Sequence, residues 1–185
     1  MKEKIRKCSG VIIYKYNERD DDFEILLIKT RNFKDAGQYL YTIVGGRIEE
    51  IDKGETIEQK AQSCAERETW EEVRLGISEM AYIGMNTAVG RDIGYKDPEM
   101  QFEFHHFAAK AVGTLNTLDI LLANDEVIYA GFHKRQELSS LAMEPELRRM
   151  LKTYTITQEN TFESETSSQK GGNFLARSLK NPKYI

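Results

Sequence analysis

The sequence predicts an α+β domain in which one β-sheet is packed between helices, an α/β/α sandwich. Segments with strand patterns outnumber those with helix patterns, and the helices are inserted among the strands. The 185 residues are enough for one domain of ordinary size, and 40% of them are hydrophobic, so the chain can bury a substantial core. We expect this single domain to cover residues 1–154.

Six β-rich segments predict the strands of the sheet. The first two are joined by the polar run 17–22, which is typical of a hairpin. The third is short and apolar, and we expect it to end at the glycine pair Gly45–Gly46. A polar, glycine-bearing loop over residues 90–99 separates the fourth from the fifth. The six segments are residues 8–16, 23–30, 37–47, 82–89, 100–112 and 126–132.

The first predicted helix extends from Thr56 to about Leu75. Thr56 and Gln59 have the spacing of a capping box, in which each side chain bonds the backbone N–H of the other residue. Gly76 is expected to end the helix, because glycine readily adopts the left-handed conformation of a helix end. Small and apolar side chains recur every four residues and form a stripe that can pack on a sheet: Ile57, Ala61, Ala65, Thr69 and Val73.

The second predicted helix covers residues 144–154, with Pro145 in its first turn. Its apolar face carries Leu147, Met150, Leu151 and Tyr154. Residues 155–185 are rich in Ser, Thr, Gln and Glu and offer little apolar surface to bury. We therefore expect a polar C-terminal tail that is either flexible or docked on the surface.

The bulk composition disfavours several functional classes. The net charge is −4 and no Lys/Arg run stands out, so nucleic-acid binding is not expected. Cys8 and Cys64 are too few for a disulfide framework or a zinc site, and we expect reduced, buried thiols of a cytoplasmic protein. The N-terminal segment lacks the apolar run of a signal peptide, and no membrane span is expected.

Residues 64–76 concentrate negative charge near the C-terminal end of the first helix. Four glutamates lie within residues 66–72, although like charges one turn apart repel and carboxylates at this end oppose the helix dipole. Glu68, Glu71 and Glu72 fall within about 100° on the helix surface and form an acidic ridge. Such a ridge can coordinate Mg²⁺ directly and through water. The alternative is a solvated face on which Arg67 pairs with Glu71.

The glycine pair and the acidic ridge together resemble the motif of the Nudix hydrolase family. That motif is G-x5-E-x7-R-E-U-x-E-E-x-G-U, where U is a bulky apolar residue. Residues 67–72, "RETWEE", match R-E-U-x-E-E with Thr69 as U, and residues 41–46, "YTIVGG", are similar to the strand that precedes the motif. The resemblance implies a mixed sheet between helices and hydrolysis of a diphosphate linkage with Mg²⁺ or Mn²⁺.

The sequence departs from the family pattern between the two halves of the motif. Gly46 and Arg67 are 21 positions apart where the pattern has 14, so seven residues are inserted. An N-terminal extension of the helix by two turns would accommodate them. The glutamate that the pattern places eight residues before the arginine is Gln59 here, and Glu55 and Glu58 are the nearby candidates to replace it.

Two further departures lie at the ends of the motif. Arg74 stands where the pattern has glycine, which predicts a different helix end near Gly76, and Val44 stands where proline is usual. The segment "RETWEE" is intact and carries the chemistry. A metal-dependent hydrolase is therefore favoured over an inactive Nudix fold that binds a ligand or a partner.

The resemblance also implies roles for individual residues. The implied metal ligands are Glu68, Glu71, Glu72 and the backbone carbonyl of Gly46 or Gly45. The implied catalytic set is Arg67, which orients a glutamate, with Glu68, Glu71 and Glu103. Strand alternation turns Glu103 away from its phenylalanine neighbours, so it is a candidate metal ligand, a candidate base or a solvent-facing residue. Weaker acidic candidates in the preceding loop are Asp92, Asp97 and Glu99.

Several other conspicuous side chains are assigned structural roles. His105 and His106 face opposite ways on one strand, and we expect one to be packed and the other exposed. Asp125–Glu126 and Phe132 resemble a late strand of the family and are interpreted as structural. Trp70 points away from the acidic ridge and is expected to pack.

Arg31, Arg47 and Tyr41 are the candidate substrate-binding residues. Tyr41, Tyr39 and Phe33 could stack on a base, although core or rim packing is the alternative. The preferred substrate is a small nucleoside diphosphate derivative, such as a nucleotide sugar or ADP-ribose. Diphosphoinositol or dinucleoside polyphosphates rank second, because only the sparse cations Lys29, Arg31, Lys34 and Arg47 are available to bind them. Decapping of mRNA ranks third, and an oligomer is possible.

Overall fold

The computed structural model describes residues 5–35, 37–116, 120, 126–156 and 162–164, and its centre is a seven-stranded sheet. The strands of this sheet are β1 Ile5–Asn17, β2 Asp22–Asp35, β3 Gln38–Thr42, β4 Val44–Arg47, β5 Gly76–Val89, β6 Gln101–Val112 and β7 Val127–Lys134. The helix α1 spans Ile57–Val73 and the helix α2 spans Pro145–Thr153, with 3₁₀ turns at Gly90–Ile93 and Arg135–Ser140. The fourth predicted strand therefore begins at Gly76 rather than at residue 82.

The sheet is mixed, with strand order β3-β2-β1-β6-β5. β1 is parallel to β6 and antiparallel to β2, which confirms the predicted hairpin. β7 pairs with β2, and β4 pairs with β1 through the registers Gly10–Gly45 and Ser9–Gly46. β1 thus offers the same edge to two partners, with β4 along its first half and β2 along its second.

The third predicted strand is two strands, and the glycine pair lies inside the second of them. β3 pairs with β2 whereas β4 pairs with β1, so the chain changes partner at Ile43 and the ladder is interrupted there. The expectation that a strand ends at Gly45–Gly46 was therefore wrong, since β4 continues to Arg47. The change of partner places both glycines beside β1, well inside the sheet.

The two faces of the sheet are covered by different helices, which confirms the α/β/α sandwich. The face covered by α1, here the α1 face, packs Val11, Ile13, Leu26, Ile28, Phe107 and Ala109 against Ala61 and Ala65. The opposite face, the α2 face, packs Ile12, Ile25 and Leu27 against Leu147 and Met150. Alternate residues of β1 and β2 enter the two layers, as the strand period requires.

α1 begins where the capping box places it and ends earlier than expected. The Thr56 hydroxyl accepts from the Gln59 backbone N–H at 3.2 Å, and the Gln59 side chain accepts from the Thr56 N–H at 3.1 Å. The predicted stripe is buried on the sheet from Ala61 onward. Arg74, not Gly76, takes the left-handed conformation at the helix end, with φ 53°. Gly76 instead begins β5.

The second helix buries Leu147 and Met150, and Leu151 packs partly against the same core. Tyr154 does not belong to the helix, because it begins a short strand, β8 Tyr154–Ile156, which pairs with β9 Phe162–Ser164. The rest of the predicted tail lies outside the described residues. Within the described part of the chain, no helix combines the length and the apolar character that a membrane crossing requires.

Candidate metal and catalytic site

The acidic ridge of α1 lies directly on the backbone of β4. A Cβ atom at Gly46 would overlap the Glu68 carboxylate, and a Cβ atom at Gly45 would overlap the backbone carbonyl of Ser9. Both positions therefore require glycine because of close approach rather than because of backbone conformation. The sequence places the two glycines where α1, β4 and β1 converge.

Glu72 is the most buried carboxylate of the ridge, at 8% exposure. One of its oxygens accepts from the Gly45 backbone N–H at 3.2 Å. Burial raises the pKa of Glu72 to about 8, and the negative charges of Glu68, Glu126 and Glu71 add to this effect. The single backbone donor does not offset the cost of burying the charge. The site therefore favours a positive charge beside Glu72.

Arg67 holds the other two carboxylates of the ridge. Its Nη1 donates to Glu68 Oε1 at 2.7 Å and to Glu71 Oε2 at 2.9 Å. The Glu68 side chain is 15% exposed and that of Glu71 is 53% exposed. Burial raises the pKa of Glu68, although Arg67 opposes the shift. The predicted orienting arginine and the alternative Arg67–Glu71 pair thus coexist.

Asp52 is a partner of Arg67 that sequence reasoning missed. Its carboxylate accepts from Arg67 Nε at 2.9 Å and from Nη2 at 3.2 Å, and its side chain is 1% exposed. The Glu49 backbone N–H donates to it at 2.7 Å. Burial alone would raise the pKa of Asp52, but the bonds from Arg67 and Glu49 outweigh it and lower that pKa. Asp52 lies six residues after Gly46, the spacing at which the family pattern has its glutamate, so the seven inserted residues follow Asp52 and precede Arg67.

Glu126 is the second acidic residue whose position sequence reasoning did not anticipate. It immediately precedes β7, and its charge is among those that raise the pKa of Glu72. Its backbone carbonyl accepts from the Arg31 N–H at 3.0 Å. The interpretation of Asp125–Glu126 as purely structural therefore omits the negative charge that Glu126 directs towards the ridge, while Asp125 lies outside the described residues.

Glu103 is engaged in two ion pairs. Among the described residues, its carboxylate pairs with His105 Nε2 at 2.8 Å and with Lys7 Nζ at 3.6 Å. Phe102 and Phe104 stack on the other side of the strand, with ring centroids 5.7 Å apart. The alternation expected for Glu103 is therefore present, and its carboxylate belongs to a separate polar cluster.

The weaker acidic candidates lie in the loop between β5 and β6 and make contacts within it. The Asp97 carboxylate accepts from the Glu99 N–H at 3.2 Å, and Glu99 pairs with Arg91 at 3.6 Å. Asp92 is exposed in the 3₁₀ turn. These contacts are those of a surface loop.

His105 and His106 lie on opposite faces of the sheet, and both are buried. Their exposures are 4% and 5%, so the expectation that one of them is exposed was wrong. Helices cover both faces, which a period-two pattern does not reveal. His105 contacts Tyr82 at 3.2 Å, whereas His106 bonds Asn86 on the other face.

The two predicted arginines are connected to the site through backbone hydrogen bonds. Arg47 directly follows Gly46, its backbone carbonyl accepts from Arg67 Nη2 at 3.2 Å, and its side chain is exposed. Arg31 is bonded through its backbone N–H to Glu126. Arg47 is thus joined to Arg67, and Arg31 to the residue that precedes β7.

Tyr41 lies in the core layer of the α2 face, away from the ridge. Its ring makes edge contacts with Tyr129 and His133, with centroids 5.6 Å and 5.1 Å away. Lys29 Nζ lies 4.1 Å from the same ring. These contacts favour the packing alternative for Tyr41 over base stacking. The side chains of Phe33 and Lys34 lie outside the described set.

Trp70 is exposed at 57%, so the expectation that it packs was wrong. It lies on the helix surface opposite the buried stripe, where no element of the described part of the chain covers it. The Arg74 guanidinium stands 5.5 Å from its ring centroid. Cys64 is buried as expected, whereas Cys8 is only half-buried, and both are free thiols.

The donor set fits a divalent cation although the carboxylates are not gathered into a cluster. In the described part of the chain, no three His, Cys, Asp or Glu side chains form a ready metal site. Arg67 occupies oxygens of Glu68 and Glu71, while Glu72 is buried without a cationic partner of its own among the described residues. Carboxylate and carbonyl oxygens are the ligands that Mg²⁺ prefers.

Comparison with known proteins gives one family. The sequence profile of the NUDIX domain matches residues 6–154 of the chain. No curated protein matches.

Solved structures with the same fold have low sequence identity. The NUDIX domain of Shewanella oneidensis NrtR, solved with ADP ribose, is 12% identical at TM-score 0.60, with 79% of this chain and 83% of that chain covered. A C. elegans Ap4A hydrolase is 15% identical at TM-score 0.54, with 80% of this chain and 93% of that chain covered. A MutT/nudix family protein from Enterococcus faecalis is 18% identical at TM-score 0.54, with 72% of this chain but only 45% of that chain covered. At these identities the likeness establishes the fold.

Proposed function

Because this chain belongs to the Nudix family and is a Nudix hydrolase, we propose that it cleaves a diphosphate linkage in a nucleoside diphosphate derivative, using Mg²⁺. A nucleotide sugar or ADP-ribose is the preferred substrate, and Mn²⁺ is the expected substitute metal. The proposal places the protein in the cytoplasm, which two unpaired thiols favour.

The observation that carries the proposal is the buried Glu72 beside the two close-packed glycines. Glu72, Glu68 and the carbonyl of Gly46 or Gly45 would hold the cation, with Glu71 acting through water because its side chain is largely exposed. Glu126 would add negative charge from the start of β7. When bound, the metal neutralises the diphosphate and activates water for attack on phosphorus.

The chain's own residues position these groups. Arg67 fixes Glu68 by a charge-assisted hydrogen bond, which keeps one oxygen oriented towards β4. Glu68 is the first candidate for the general base that accepts a proton from water, because its partly buried carboxylate lies beside β4 where the cation would bind. Glu103 is the second candidate for the base, supported by its partly buried carboxylate and its His105 neighbour. Arg31 and Arg47 would bind the diphosphate oxygens.

Two alternatives are supported by specific observations. Arg31 and Arg47 would also serve a dinucleoside or diphosphoinositol polyphosphate, and an Ap4A hydrolase shares the fold. A ligand-binding module without turnover is the second alternative, because Arg67 already occupies two carboxylates of the ridge. The intact acidic ridge favours the enzyme over the module.

A substrate panel tests the proposal. ADP-ribose, nucleotide sugars, nucleoside triphosphates, dinucleoside polyphosphates, coenzyme A and diphosphoinositols would each be incubated with Mg²⁺ or Mn²⁺, with a phosphomonoester as the control. We expect cleavage of a diphosphate, no release of phosphate from the monoester, and loss of turnover in excess chelator. Full turnover in chelator, or tight binding of a diphosphate that is never cleaved, would refute the proposal.

A further inference from the structure

We propose that the α2 face of the sheet holds the base of the substrate and selects a purine that carries an exocyclic amino group. The binding groups are Phe104 of β6, Asn86 of β5, His106 of β6 and Glu146 of α2. The inference rests on the proposed function, because it takes the diphosphate to be held beside β4. It goes further by naming the class of base and the atoms that recognise it.

One row of side chains crosses the α2 face from β4 to β5. Cys8 of β1 is in register with Arg47 on one side and with Phe104 on the other, and Phe104 is in register with Asn86. Gly46 faces α1, so strand alternation turns the next residue, Arg47, to the α2 face. The row spans four strands and is about 14 Å long. A nucleoside diphosphate extended along it would place its phosphates at Arg47 and its base between Phe104 and Asn86.

Phe104 supplies the surface on which a base can stack. Its ring is nearly parallel to the rings of Phe102 and His106, with centroid distances of 5.7 Å and 6.3 Å. Phe102 and His106 are both buried, whereas Phe104 is only partly buried and can contact a ligand. Stacking on an aromatic ring accepts every base, so this contact provides affinity without selectivity.

Asn86 fixes the direction of the hydrogen bonds around it. Its amide nitrogen donates to Glu146 Oε1 at 2.6 Å, so its amide oxygen is left to accept from His106 Nε2. Burial lowers the pKa of His106, so the ring is neutral near pH 7 and its other nitrogen, Nδ1, carries a lone pair. His106 and Glu146 therefore both present acceptors.

Two of these acceptors are buried without a hydrogen-bond donor in the described part of the chain. They are His106 Nδ1 and Glu146 Oε2. The Arg149 Nη1 atom lies 3.2 Å from Oε2 as an ion pair, but its side chain is 63% exposed and can turn away. A buried acceptor without a donor is costly, so a ligand that offers N–H groups would be stabilised here.

Donor groups distinguish the bases at such a site. Adenine and guanine each carry an amino group, whereas hypoxanthine has the shape of a purine without one. Uracil offers two carbonyl oxygens beside a single ring N–H. A carbonyl oxygen that faces the Glu146 carboxylate would leave both groups unpaired, which a polar site rejects strongly. The site should therefore prefer adenosine or guanosine derivatives over those of inosine and uridine.

The test titrates ADP, GDP, IDP and UDP against the full protein in chelator, where no turnover is expected. The kcat/KM for each is then measured with Mg²⁺. GDP and IDP differ only by the amino group on the purine. Whichever of ADP and GDP binds more tightly should exceed IDP and UDP by about 10- to 100-fold, the scale of one hydrogen bond to a charged group.

Two variants separate selectivity from affinity. Glu146→Gln keeps the shape of the side chain but replaces an acceptor oxygen by an NH₂ donor, so the preference over IDP should be lost. Phe104→Leu should weaken binding of all four nucleotides about 5- to 100-fold and keep the preference. The matched control is Glu79→Gln, an exposed glutamate of β5 that pairs with Lys110 at 3.5 Å. It should behave as the wild type.

Several outcomes would overturn the inference while diphosphate cleavage leaves the proposed function standing. These are equal affinity of the wild type for all four nucleotides, binding of none of them, or wild-type affinity in Phe104→Leu. A lowered melting temperature of Glu146→Gln with an unchanged preference would mark the polar chain as structural only. If Glu146→Gln does not fold, the wild-type ratios and Phe104→Leu still decide. A wild type that binds no nucleotide and cleaves no diphosphate would overturn both proposals.

Discussion

At the scale of single residues, the three carboxylates of the acidic ridge are not equivalent. Glu72 is buried, Glu68 is partly buried, and Glu71 faces solvent. Arg67 compensates the latter two, so the uncompensated charge lies on Glu72. Glu72 is therefore the carboxylate of this helix end that most needs a bound cation.

Replacing Glu72 by Gln should separate metal binding from stability. The amide keeps the shape and an oxygen that can accept from the Gly45 N–H, but it removes the ligand charge. We expect turnover to fall about 100- to 1,000-fold, the scale of a lost electrostatic contact in the transition state. The metal-free protein should be as stable as the wild type or more so at pH 8, because a buried charge is removed.

The matched control is Glu66→Gln, an exposed glutamate of the same helix that lies off the ridge. It should leave both turnover and thermal stability unchanged. Wild-type turnover in Glu72→Gln would return the ridge to an ordinary solvated surface and leave the family likeness as one of fold.

The residues that sequence reasoning placed correctly on the ridge are those related by helical geometry. Glu68, Glu71 and Arg67 follow from a period of 3.6 residues, which is a local property. Asp52 and Glu126 reach the site through a loop and a distant strand. Asp52 lies six residues after Gly46, the spacing at which the family pattern has its glutamate, so the sequence does contain a signal for it. The position of Glu126 depends on the tertiary fold.

At the scale of elements, α1 shows why its start was predictable and its end was not. The capping box acts within four residues, so the sequence contains the whole signal. At the other end, Gly76 is the first residue of β5 and pairs with Val112 of β6, so it cannot also serve as the cap. Arg74 takes the left-handed position, and its N–H donates to the Trp70 carbonyl at 3.2 Å.

Replacing Arg74 by Gly should stabilise the protein. A residue with a side chain pays a steric cost at φ 53°, which glycine avoids. The gain is reduced by the lost contact with the Trp70 ring, so we expect about 0.5–1 kcal/mol net. Urea unfolding measures the change, and turnover should be unaffected. Arg74→Ala, which loses the ring contact but keeps the strain, should not be more stable than the wild type.

At the scale of the whole molecule, the sandwich separates two polar systems. The acidic ridge lies over the α1 face. The α2 face holds a chain in which His106 Nε2 bonds Asn86, and Asn86 donates to Glu146 at 2.6 Å. Strand alternation predicted that His105 and His106 would lie on opposite faces of the sheet. The burial of both follows from the two layers that cover those faces. The layers were predictable from the sequence, whereas the contacts across them were not.

These two systems have opposite effects on stability as pH changes. Burial, aided by the nearby His105, lowers the pKa of His106 to about 4 from its ordinary 6.5. The native state therefore resists protonation, and stability is lost as pH falls from 6.5 through 4. The full loss is about 3 kcal/mol at 1.4 kcal/mol per pKa unit. Burial lowers the pKa of His133 as well, which acts in the same direction.

The metal-free protein should lose stability both at acidic pH, through His106, and at alkaline pH, through Glu72, and these are the acidic and alkaline limbs of its stability profile. It should be most stable between them, and Mg²⁺ should extend its stability towards alkaline pH. The pKa of Glu72 is raised from 4.5 to about 8, so its contribution is present below pH 4.5 and is lost as pH rises through 8. A bound cation favours the ionised carboxylate and removes that loss. Urea midpoints from pH 4 to 8.5, in chelator and in Mg²⁺, measure both limbs. Glu72→Gln should flatten the alkaline limb and His106→Gln the acidic one. A metal-free wild type whose stability rises steadily to pH 8 would contradict the role given to Glu72.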